Sequence, residues 1–74
     1  MTEPEKTLSK STLEQFDNYK SLISAEIELI QRILELRQNF SNSDDIQRII
    51  EPIMQRIHQI RKEKSVIENN LNLL

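Results

Sequence analysis

Between Tyr19 and Phe40 (YKSLISAEIELIQRILELRQNF) apolar residues recur every three or four positions, which is helical spacing and not the alternation of a strand. They fall into two seams. The first is Phe16, Ile23, Ile27, Ile30 and Leu34, extended upstream by Leu13; the second is Tyr19, Leu22, Leu29, Ile33, Leu36 and Phe40. At about 100° per residue the seams lie side by side and cover roughly half the helix circumference. Asp17, Ser21, Ser24, Glu28, Gln31, Arg32, Glu35 and Asn39 make the other side polar. A helix with two adjacent apolar seams needs two helical neighbours.

A second helix follows. Its seam is Ile46, Ile50, Ile53, Ile57, Ile60, Lys64, Ile67, Leu71 and Leu74, an alternation of fours and threes over about four heptads. Pro52 removes one backbone donor and crowds the preceding turn, but the heptad pattern passes through it and it falls on the outer side. One helix with a mild bend is expected there. Ser41-Asn42-Ser43-Asp44-Asp45 is the one break, built from residues whose side chains bond to nearby backbone. Asp44 and Asp45 would sit in the first turn of the second helix, where the macrodipole favours negative charge. Upstream, Ser11-Thr12-Leu13-Glu14 fits a capping box. The expected architecture is all-α: a flexible tail over residues 1–10, then an antiparallel hairpin over 11–74. Its helices would run from about 12 to 40 and from about 44 to 73.

Folding the hairpin at Asn42 brings the first seam onto the second helix. Leu34 meets Ile50, Ile30 meets Ile53, Ile27 meets Ile57, Ile23 meets Ile60, Phe16 meets Ile67 and Leu13 meets Leu71. Arg37 against Ile46 and Lys20 against Lys64 are the exceptions. This pairing leaves the second seam bare, so Tyr19, Leu22, Glu26, Leu29, Ile33, Leu36 and Phe40 are the expected partner interface. Ile49 joins them on one flank of the second helix, and Met54 on the other. An apolar strip of that size marks an interface, and a four-helix bundle or coiled-coil assembly with a second copy or a partner would complete it.

Four charges interrupt these faces. Lys20 and Lys64 are expected to extend over apolar stems to Asp17 and Glu68, and Arg37 to Asp44 or Asp45. Glu26 is expected near Arg56, or paired with a basic residue of the partner, where it would set register. A competing arrangement has Glu26, Arg37, Lys20 and Lys64 converging on an anionic ligand inside the bundle. The segment Glu26-Ile27-Glu28-Leu29-Ile30, continuing through Ile33-Leu34-Glu35-Leu36 to Arg37, resembles the first helix of the small all-helical chorismate mutases. That resemblance covers about a dozen residues of amphipathic pattern and implies a helical-bundle enzyme as a remote alternative. The chain supplies no third helix for the remaining residues of such a site.

Composition narrows the chemistry. Seventy-four residues make one small domain, too short to be comfortably stable without a staple or a neighbour. There is no cysteine, hence no disulfide, thiolate metal site or thiol nucleophile; there is no glycine, hence no glycine-rich phosphate loop. His58, the single histidine, falls on the polar side with no carboxylate three residues before it, so no di-iron pattern is present. No catalytic, cofactor-binding or metal-binding residues are assigned. The net charge of −2 is small and mixed; Arg61-Lys62-Glu63-Lys64 is its densest cluster, too short and too mixed for nucleic acid. No apolar run reaches membrane-spanning length, and the first ten residues lack a signal-peptide core. The expectation is a cytoplasmic (intracellular), non-enzymatic module for protein–protein assembly, without cofactors, nucleic acid or membrane insertion. It would be a homo-oligomer or a small subunit with a helical partner protein. A secretion or flagellar export chaperone, a class of small acidic helical hairpins similar in layout, is the alternative.

Overall fold

The computed structural model describes residues 9–40 and 44–73. Within them the chain forms α1, Lys10–Asn39, and α2, Ile46–Asn70, packed against each other. The all-helical hairpin expected from the spacing is therefore present. Most of the expected tail, the residues 41–43 of the break and Leu74 lie outside the described residues.

Side-chain chemistry sets the helix ends. Ser9 has extended backbone (φ −66°, ψ 158°), and its Oγ accepts from the Thr12 N–H at 3.0 Å. It is thus the N-cap of α1, which starts earlier than expected. The Ser11–Glu14 pair lies inside the helix and caps nothing. At the other end the Phe40 N–H still donates to the Leu36 carbonyl at 2.9 Å. The α2 helix starts on Asp45, whose carbonyl accepts from the N–H groups of Arg48 and Ile49. Asp44 and Asp45 thus precede the first turn instead of occupying it. Pro52 is accommodated within α2 and is exposed, as its position in the heptad requires. At the C-terminal end Asn72 adopts the left-handed conformation (φ 57°). The Leu73 N–H returns to the Glu68 carbonyl at 2.8 Å and the Asn72 N–H to that of Asn69 at 3.3 Å. This is the Schellman arrangement, with asparagine where glycine is usual.

The core runs along α2 as its heptad dictates: Ile46, Ile50, Ile57, Ile60 and Ile67 are all buried, and Ile60 has no exposure at all. What α1 sets against them is the reverse of the sequence expectation. Ile33 is buried among Ile46, Ile50 and Ile57, with Leu29, Leu36, Ile53 and Met54 packed around them. The second seam faces α2. The first is turned away: Leu13, Phe16, Ile27, Ile30 and Leu34 are each between 36% and 56% exposed.

Charge accounts for the exchange. Pairing through the first seam sets Lys20 against Lys64, two like charges in one layer. Pairing through the second brings Glu26 to that end of the α2 seam, where Lys64 can neutralise it, and leaves Lys20 in water. The apolar layers do not discriminate, since either seam supplies aliphatic side chains of similar size. The ionic layer does, because an unpaired buried charge is far costlier than a changed hydrophobic contact.

Candidate interaction site

Two features are candidates for function: the ionic layer between the helices and the apolar face that the hairpin leaves uncovered. The layer centres on Glu26, which sits mid-helix in the packed seam and is only 9% exposed. Its Oε1 accepts from Lys64 Nζ at 2.6 Å and its Oε2 from Arg61 Nε at 2.8 Å. Sequence reasoning expected Arg56 here and sent Lys64 to Glu68. Both assignments are corrected, because the pairing of the second seam brings Glu26 to a point more than one turn farther along α2. The Lys64 and Arg61 hydrogen bonds hold the Glu26 carboxyl below its ordinary pKa, against the opposing effect of burial.

Two further polar contacts continue toward the open end of the hairpin. Tyr19 Oη donates to Glu68 Oε2 at 2.5 Å. The accepting carboxylate keeps the phenol protonated, so the Tyr19 pKa is raised, with desolvation adding to the effect. Asn70 Nδ2 donates to Gln15 Oε1 at 3.1 Å. Toward its open end the hairpin thus adds directional polar bonds alongside the buried Ile60 and Ile67, and these bonds define the register of α1 against α2.

Of the expected interface residues, Tyr19, Leu22, Glu26, Leu29, Ile33 and Leu36 lie between the two helices of one chain, and Met54 is half-buried against their core. Phe40 and Ile49 are exposed, at 51% and 46%. The apolar face that remains free is the first seam. Phe16 also lines a small, mostly apolar hollow of about 220 Å³ with Thr12, Leu71 and Leu73, which extends that face toward the open end. Both seams are legible in the sequence, and the Lys20–Lys64 conflict is the one sign there against pairing through the first, too weak by itself to choose between them.

Lys20 lies on the free face. Its ammonium is 3.7 Å from Asp17, the partner expected for it, and 5.5 Å from the centre of the Phe16 ring. Arg37 is exposed near the turn, and His58 is exposed, as its place on the polar side requires. Glu26 and Lys64 therefore meet, while Lys20 and Arg37 point elsewhere, so the four charges do not converge on a ligand. The larger hollows are open grooves on the surface. One of about 530 Å³ runs between Asn18, Leu22 and Ala25 of α1 and Arg56, Glu63 and Val66 of α2. Among the described residues no three histidine, aspartate or glutamate side chains gather to hold a metal ion, and neither helix is long and apolar enough to cross a membrane. Comparison with protein-family models, with curated proteins and with solved structures finds no match to this chain.

Proposed function

We propose that the protein is a non-enzymatic assembly module, a helical hairpin that docks further helices on its uncovered apolar face. The observation that supports this is the exposure of most of one seam of α1: Leu13, Phe16, Ile27, Ile30 and Leu34 are about half exposed, with Ile23 half-buried among them. Covering the remaining half of each is worth on the order of 1 kcal/mol per residue. Five such residues then approach the lower end of the whole stability of a small domain, about 5 kcal/mol. An apolar strip at heptad spacing, with Lys20 and Arg37 as the charges in its line, has the shape of a helix-binding face. The occupant is protein: another copy, or an amphipathic helix of a partner or cargo.

Sedimentation equilibrium of the pure chain beside the Ile27→Glu variant tests this. Ile27 is 52% exposed, so a glutamate there leaves the hairpin's own core intact. The expected result is a discrete oligomer that Ile27→Glu reduces to helical monomers. A wild-type chain that is poorly helical or polydisperse, and that a partner helix rescues, points to a subunit or chaperone-like role. A wild-type chain that is fully helical and monomeric at millimolar concentration, and indistinguishable from Ile27→Glu, overturns the proposal.

A further inference from the structure

We infer that the occupant of this face is a second copy of the same chain, lying antiparallel along α1 about a two-fold axis near Ala25. The inference rests on the assembly reading above and adds the partner and its direction. It starts from the spacing on the free face. Leu13, Phe16, Ile23, Ile27, Ile30 and Leu34 belong to a seam that steps alternately by three and four, with Lys20 and Arg37 completing it. Each position follows directly after one of the seam that packs on α2: Tyr19 and Lys20, Glu26 and Ile27, Ile33 and Leu34. One residue is about 100° of rotation, close to the right angle between neighbours in a square four-helix bundle. The free face therefore points where the next helix of such a bundle stands.

The seam is also complementary to its own reverse. Turned end for end about Ala25, Ile23 opposes Ile27 of the second copy, Phe16 opposes Leu34, Lys20 opposes Ile30 and Arg37 opposes Leu13. The alternation makes each of these an a-against-d layer, the pairing of antiparallel coiled coils. Neither cation meets itself. In the parallel arrangement Lys20 stacks on Lys20 and Arg37 on Arg37, two like-charge layers in one interface. The flank that would border the contact holds Asp17, Ser24, Gln31 and Gln38, with a single charge, so the antiparallel approach meets little repulsion. The apolar hollow beside Phe16, lined also by Leu71 and Leu73, lies where Leu34 of the second copy would arrive. Two-fold closure uses the same strip twice, as an isologous interface must.

The test uses the full chain, which has no native cysteine, with a single spin label on Ser24→Cys or on Gln38→Cys; both positions are exposed. In the antiparallel dimer the two Ser24 labels lie at about the 8–10 Å interhelix spacing plus the label arms. The two Gln38 labels lie about 40 Å apart at 1.5 Å rise per residue. Near Ser24 labels with distant Gln38 labels support the inference. Near labels at both sites show a parallel dimer, which overturns the inference and leaves the assembly reading standing. Labels that never approach each other, in a chain that sediments as a monomer, overturn self-pairing; the comparison with Ile27→Glu then decides whether the assembly reading falls as well.

Discussion

Removing the charge of Glu26 is the sharpest perturbation of this fold. Glu26→Gln keeps the shape of the side chain but leaves Lys64, whose side chain is only 21% exposed, without its counter-ion. A hydrogen bond between charged partners shielded from water contributes about 1.5–3 kcal/mol. The Arg61 side chain is 53% exposed, so its bond belongs with surface pairs at about 0.2–1 kcal/mol. Together these place the cost of Glu26→Gln at about 2–4 kcal/mol. Lys64 can partly withdraw to water over its alkyl stem, which holds the loss below the larger figures for fully buried pairs. Urea unfolding followed by far-ultraviolet circular dichroism, at one fixed chain concentration, measures it. A double-mutant cycle between Glu26→Gln and Lys64→Met should return most of the coupling, and the cycle with Arg61→Met under about 1 kcal/mol. Replacing Glu26 and Lys64 together by leucine should restore stability, since a well-packed apolar pair commonly equals a buried ion pair. A cost of Glu26→Gln within about 0.5 kcal/mol, the range of ordinary surface changes, would refute the claim that this ionic layer selects the seam.

Four further outcomes are expected. The lowered pKa of Glu26 means that the folded chain binds this proton more weakly than the unfolded chain. Its stabilising contribution is therefore present above the ordinary glutamate value of about 4.3 and fades as pH falls through the folded-state value, a fade that Glu26→Gln should lack. For Tyr19 the sign is opposite: its raised pKa contributes stability below about 10 that is lost as pH climbs through the folded-state value. Because Tyr19 is the single tyrosine and tryptophan is absent, tyrosinate absorbance reads the titration directly, and Glu68→Gln should bring its midpoint down toward 10. Ile60→Ala, at a site with no exposure, should cost about 2–5 kcal/mol in thermal or urea unfolding, whereas Ile27→Ala should act chiefly on association. Asn72→Ala should destabilise the end of α2 by about 1 kcal/mol and Asn72→Gly should not, because the left-handed backbone penalises a Cβ; amide exchange at Leu73 would report both.

Much of this fold follows from the sequence alone. The spacing of isoleucine and leucine dictates helix because threes and fours put apolar side chains on one side of a helical turn and on neither face of a strand. A run of serine, asparagine and aspartate at 41–45 predicts the break between the helices, since such side chains tend to compete for the backbone, and the strict heptad of α2 named its buried isoleucines one by one. Pro52 was placed correctly inside a continuous helix because the register survived it. Local chemistry was harder to read: the Ser11–Glu14 spacing points to Ser11 as the cap of α1, yet the helix starts earlier, on Ser9, whose oxygen meets the Thr12 N–H. Only the tertiary structure decided which seam of α1 turns inward. The two seams are nearly equivalent in apolar content, so hydrophobic pattern leaves the helix free to rotate by one position. That freedom ends where Glu26 meets Lys64 and Arg61, a contact between residues far apart in sequence, whose cost if left unmade exceeds any difference between the two aliphatic faces.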